Sequence, residues 1–78
     1  MSKREKLLER LKNNQNDVTF AQIETLLRQE NFVLERISGS HHVFKKKSTI
    51  FVVPVHKNKV KSVYVKRVIE LIEELRDE

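Results

Sequence analysis

Only one glycine occurs in the 78 residues, Gly39, and it falls between two strand-like runs, Val33 to Ser38 and a shorter one from Val43 to Lys46. A chain with one freely left-handed residue has few places to reverse sharply, so Gly39-Ser40 reads as the turn of a β-hairpin. Lys47-Ser48 makes a second turn. Thr49 to Val55, β-branched and nearly all apolar, then reads as a third strand, with the composition of the best-buried strand of a small sheet. Pro54 has no N–H to donate, so the ladder is expected to fray there. Turns this short leave no room for a crossover, and the three strands are expected to form an antiparallel meander.

Helical patterns flank these strands. Ser2 and Glu5 have capping-box spacing ahead of Leu7, Leu8 and Leu11, predicting a helix from about Lys3 to Lys12 and then a polar break, Asn13 to Asp17. Thr19 and Gln22 repeat that spacing, with Val18 and Ile23 placed as a hydrophobic staple. Phe20, Ile23, Leu26 and Leu27 continue this helix's apolar face to about Gln29, and Asn31 suits its end because asparagine tolerates left-handed backbone. Lys57 to Lys61 reads as a basic loop. Ser62 is placed to cap a last helix whose Val65, Val68, Ile69, Ile72 and Leu75 share a face. The order helix, helix, three strands, helix gives an α+β domain, a small three-stranded antiparallel sheet with helices on one face. At this length residues 1–78 form a single domain that buries roughly 60% of its unfolded surface, leaving a thin core.

Charge separates the chain into unlike parts. The formal net charge is +5 and the pI about 9.8. From Lys45 to Arg67 there are eight Lys or Arg and no acid, whereas Glu70, Glu73, Glu74, Asp77 and Glu78 then face a single Arg76. An uncompensated basic segment is the footprint of a polyanionic partner, nucleic acid above all. Lys66 and Arg67 lie early in the last helix and the acids crowd its end, the reverse of what the helix dipole favours. Either those early cations serve a phosphate ligand, or the arrangement is incidental on a solvated surface. The absence of cysteine removes disulfides and thiolate metal sites and suits a reducing cytoplasm. The longest apolar stretch, Ile50 to Val55, is far too short to span a bilayer, so no membrane association is expected. The opening Met1-Ser2-Lys3-Arg4 leads into a charged helix with no apolar signal region, and a soluble intracellular protein is the natural expectation.

The candidate chemistry lies at the glycine. His41 and His42 follow Gly39-Ser40 directly, and His56 follows Pro54. Histidine both takes and gives a proton at cellular pH, and a titrating group beside a cationic surface is what RNA cleavage without a metal requires. In that reaction the RNA 2′-OH attacks the adjacent phosphate. A base removes its proton, an acid serves the leaving 5′-oxygen, and cations stabilise the developing charge. His41 can fill either proton role. Gly39 permits the sharp turn, and the Ser40 hydroxyl can orient an imidazole or a phosphate. Neighbouring residues in extended backbone point to opposite faces, so His42 is an accessory candidate only; His56, just past Pro54, either approaches the site from the neighbouring strand or is a solvated strand end. The candidate phosphate contacts are Lys45, Lys46, Lys47, Lys57, Lys59, Lys61, Lys66 and Arg67, which supply affinity and salt dependence more than base specificity. Phe32, Phe44 and Phe51 sit in strand patterns and read as core. Tyr64 alone lies beside the basic loop, so contact with backbone and 2′-OH is favoured over base stacking. The three histidines lack the spacing of a zinc site, and no metal or other cofactor is expected.

Gly39-Ser40-His41-His42-Val43-Phe44, followed by Val53-Pro54-Val55-His56, resembles the HicA family of small toxins from toxin–antitoxin pairs. The resemblance covers a core from about residue 19 to residue 72. It implies a fold similar to the double-stranded RNA-binding domain, and a metal-independent endoribonuclease acting on messenger RNA. It also implies neutralisation by a HicB-type antitoxin, with the functional histidine directly after Gly-Ser, here His41. Residues 1–17, a helix and linker, lie outside the family core, which gives them no role. Asn31 stands where the family usually has glycine and can meet the same backbone need. Two other functions use the same scaffold, a non-catalytic RNA-binding module and an interaction domain whose basic face meets an acidic protein.

Overall fold

A computed structural model describes residues 3–76. Three helices, α1 (Lys3–Asn13), α2 (Phe20–Gln29) and α3 (Ser62–Arg76), combine with five strands. These are β1 (Val18–Thr19), β2 (Val33–Ser38), β3 (His41–Lys46), β4 (Thr49–Pro54) and β5 (Lys59–Val60). The α+β architecture and the antiparallel meander β2-β3-β4 agree with the sequence reading.

The capping chemistry of α2 forms in full. The Thr19 Oγ1 accepts from the Gln22 N–H at 3.3 Å, and the Gln22 Oε1 accepts from the Thr19 N–H at 3.0 Å. Val18 and Ile23, the staple pair, are both buried in the core. At the other end Asn31 takes a left-handed φ of 70°. Its N–H donates to the Arg28 carbonyl and the Phe32 N–H to the Leu27 carbonyl, each at 3.0 Å. That is the double bond pattern of a Schellman close, with asparagine in the glycine position. The corresponding box of α1 includes Ser2, which lies outside the described residues.

The core lies between the helices and one face of the meander. Leu8 and Leu11 of α1, Ile23, Leu26 and Leu27 of α2, and Val65, Val68, Ile69 and Ile72 of α3 pack with Phe32, Phe44 and Val53. The N-terminal helix is therefore part of the core, and Lys12 Nζ ties it to Glu73 of α3 at 2.9 Å. Phe32 and Phe44 are fully buried and Phe51 packs against them, as their strand positions predict.

Three expectations need correction. The apolar run from Thr49 is not the best-buried strand: β3 is central and β4 is an edge. Phe51 and Val53 face the core, while Ile50 and Val52 remain 60% and 41% exposed on the helix-free side. An edge also explains why Pro54 is tolerated, since no partner awaits its missing N–H. Second, the basic loop is partly ordered as β5, which pairs with β1 in the register Val18↔Val60 and Thr19↔Lys59. Third, Ser62 is the first residue of α3 and not its cap. The Lys61 carbonyl accepts from the Tyr64 and Val65 amides, so Lys61 holds the flanking position.

Candidate nucleic-acid interface

Gly39 has φ +59°, and nothing lies within 4 Å of where a Cβ would stand. The position needs glycine for its backbone and not for space. A positive φ at the first central residue of a two-residue hairpin loop matches the twist of the flanking strands. The turn sets Ser38 opposite His41 and Ile37 opposite His42.

The sheet then separates the two imidazoles. His42 lies on the helix-side face with Phe44, two residues along the strand. Its ring centroid is 4.3 Å from that of Phe20, the first residue of α2, and the side chain is half-buried. Its Nδ1 is 3.3 Å from the Ser40 carbonyl oxygen. A carbonyl only accepts, so this contact places the hydrogen on Nδ1 and leaves Nε2 as the free nitrogen. His41 belongs to the opposite face, is exposed, and stands between Ser38 and Pro54 on the neighbouring strands. Val43 shares that face: its accessibility is only 8%, yet it is no member of the core cluster. Around it, Val33, Ile50 and Val52 form an exposed aliphatic surface with Arg36 and Lys45.

The basic loop is fastened to the same end of the sheet. The Val55 N–H donates to the Ser40 carbonyl at 2.8 Å, so the chain leaves β4 beside the histidine turn. His56 follows, exposed, and bridges to Lys59 across a tight reversal. Lys57 and Asn58 both have positive φ, 50° and 65°, as a type I′ turn requires. The Asn58 carbonyl accepts from the Phe20 N–H at 2.8 Å, which joins this loop to the residue on which His42 rests. Lys59 forms an ion pair with Asp17. The hydrogen bond from Lys59 and then its charge hold the Asp17 carboxyl below the usual aspartate range. Lys61 precedes α3, and Lys66 and Arg67 are exposed on its early turns, with the Arg67 guanidinium 6.0 Å from the centre of the half-buried Tyr64 ring.

The eight cations therefore do not form one patch. Lys57, Lys59 and Lys61 belong to the loop that leaves the histidine turn and Lys66 and Arg67 to the start of α3 that follows it, whereas Lys45, Lys46 and Lys47 lie at the far end of β3. Closeness in sequence misleads here, because an extended strand carries residues apart by about 3.3 Å each. Among the described residues, no group of three His, Cys, Asp or Glu side chains is placed to hold a metal ion. No described helix is long and apolar enough to cross a membrane.

A histidine hairpin on a helix-backed meander, joined to a basic loop, is the arrangement on which the family comparison bears. The model of the HicA toxin of bacterial toxin–antitoxin systems matches residues 20–74, well over half the chain. The chain belongs to the HicA toxin family. The match begins at the first residue of α2, so α1 and β1 lie outside it. No curated protein and no solved structure matches the chain. Family membership makes this a toxin of a toxin–antitoxin pair, of ribonuclease type with RNA as its class of substrate.

Proposed function

We propose that this toxin cleaves messenger RNA without a metal ion, with His41 as the general acid or base at the hairpin turn. The observation that carries the proposal is an exposed imidazole next to a turn that also anchors the basic loop, through the Val55–Ser40 bond. The reacting phosphate would lie at that turn. Lys57, Lys61, Lys66 and Arg67 would neutralise the backbone around it, and Gly39 and Ser40 would let the chain approach closely. The proton of the 2′-OH passes to the base, the 2′-oxygen bonds to phosphorus, and the 5′-oxygen leaves with a proton from the acid.

A second assignment has its own observation. His42 is seated on Phe20 with its Nδ1 held by Ser40, on the side of α2 that the basic loop touches. An imidazole locked in orientation with one nitrogen free is also suited to proton transfer. Single variants distinguish the two. Purified protein is incubated with total RNA in EDTA beside His41→Ala and His42→Ala, with thermal unfolding of each recorded. Loss of cleavage from His41→Ala, with stability unchanged, supports the first assignment. Loss confined to His42→Ala, with the fold intact, replaces it by the second. Binding without cleavage by the wild type leaves only an RNA-binding module.

We also propose that the neutralising partner is a HicB-type antitoxin that covers His41 by docking on the helix-free face. Val33, Val43, Ile50 and Val52 offer it aliphatic contact, and Arg36 and Lys45 offer charge to acidic groups.

A further inference from the structure

The lysines at the far end of β3 are unexplained by chemistry at the histidine turn. Lys47 lies six positions beyond His41, so the tip of the β3–β4 hairpin stands roughly 20 Å along the strand from it. Lys46 and Lys47 lie too far along the strand to share the scissile phosphate with His41. Yet this tip is built for charge. Lys45, Lys46 and Lys47 have no ion pair among the described residues, unlike Lys12 and Lys59. Lys47 sits at φ 54°, where glycine or asparagine would be less strained. Lys46 is half-buried with its Nζ 5.9 Å from the Phe32 ring centre, which restrains its direction. Beside them an open cleft of about 260 Å³ is lined by Lys46, Lys47, Ser48, Thr49 and Leu75. Two ammonium groups and two hydroxyls match a phosphodiester.

We infer that Lys46 and Lys47, with Ser48 and Thr49, form a remote subsite for the RNA backbone. It holds phosphates several nucleotides from the bond that is cut. The inference rests on the ribonuclease reading above and adds a property to it, dependence on substrate length. Only RNA long enough to reach both ends of β3 gains from the tip. Its loss weakens binding and raises KM without slowing the chemical step.

The test compares wild type, Lys46→Gln/Lys47→Gln and Lys47→Asn on labelled single-stranded RNAs of about four and about 24 nucleotides, by fluorescence anisotropy across a salt series. Each lost phosphate contact lowers the slope of log K against log salt by about 0.7 on single strands. The double variant is expected to lose about 1.4 from that slope on the long RNA, with affinity down about tenfold, and to match wild type on the short one. Lys47→Asn relieves the left-handed strain, so its melting temperature holds or rises while long-RNA affinity falls. In cleavage assays KM for the long RNA rises and kcat stays within about twofold. Equal losses on both lengths, an unchanged slope, or a fall in kcat at constant KM overturns the subsite. A wild type that binds but never cleaves in EDTA removes the proposed chemistry, while the anisotropy arm still decides the subsite.

Discussion

At Gly39 the backbone conformation alone, φ +59° with open space around the missing Cβ, decides what residue fits. Gly39→Ala is therefore expected to cost about 1–2 kcal/mol, the usual penalty of left-handed backbone for a Cβ-bearing residue. Chemical denaturation measures it, and Gly39→Asn should recover part of the loss. Lys59 is a different case. Its ammonium is committed to Asp17, so Lys59→Ala should weaken RNA binding less than Lys57→Ala or Lys61→Ala under one salt condition. The same pair fixes a pH dependence. The folded-state pKa of Asp17 is lowered, so its contribution to stability is fully present above the unfolded-state value and fades as pH falls through the folded one. Carboxyl NMR titration should place Asp17 below an ordinary aspartate, and Lys59→Ala should return it upward. The placement of His41 and His42 on opposite faces was legible from strand periodicity. The Phe20 and Ser40 contacts that orient His42 were not, because they depend on where α2 begins relative to the sheet.

Among the elements, α1 shows how far a helix outside the family match can belong to the fold. Leu11 is 1% exposed between α2 and α3, and the Lys12–Glu73 pair closes the helix's last turn. Leu11→Ala should destabilise the protein by about 2–5 kcal/mol, read as a lower denaturant midpoint at unchanged m. A solvated appendage would give no such loss. The helix was recognisable from Leu7, Leu8 and Leu11, but a narrow stripe does not name the surface it packs on. The caps of α2 were legible because they are local, a box closed within three residues and an asparagine able to take φ 70°. β1 and β5 were not, because two residues carry no period and Lys57-Asn58 lacks the glycine that marks most type I′ turns. β4 misled for another reason. A continuous apolar run is written alike by a strand buried on both faces and by an edge strand with an exposed aliphatic face, and only the strand order separates them.

For the molecule as a whole, the antiparallel meander converts a basic stretch of sequence into two cationic ends with a histidine turn at one of them. The fold class, the core phenylalanines and the hairpin were readable in advance. The division of charge was not, since it needs the register of β3 against β4. The most direct measurement of the proposed chemistry uses one RNA oligonucleotide in two forms, all-ribose and with a single 2′-deoxy sugar at the cleaved position, in EDTA. Wild type should cut the first, leaving a 5′-hydroxyl product, and spare the second at that bond, while His41→Ala cuts neither. Cleavage of the deoxy form at the ribose rate, or full activity of His41→Ala on the all-ribose RNA, would contradict an imidazole at Gly39 acting on the substrate's own hydroxyl.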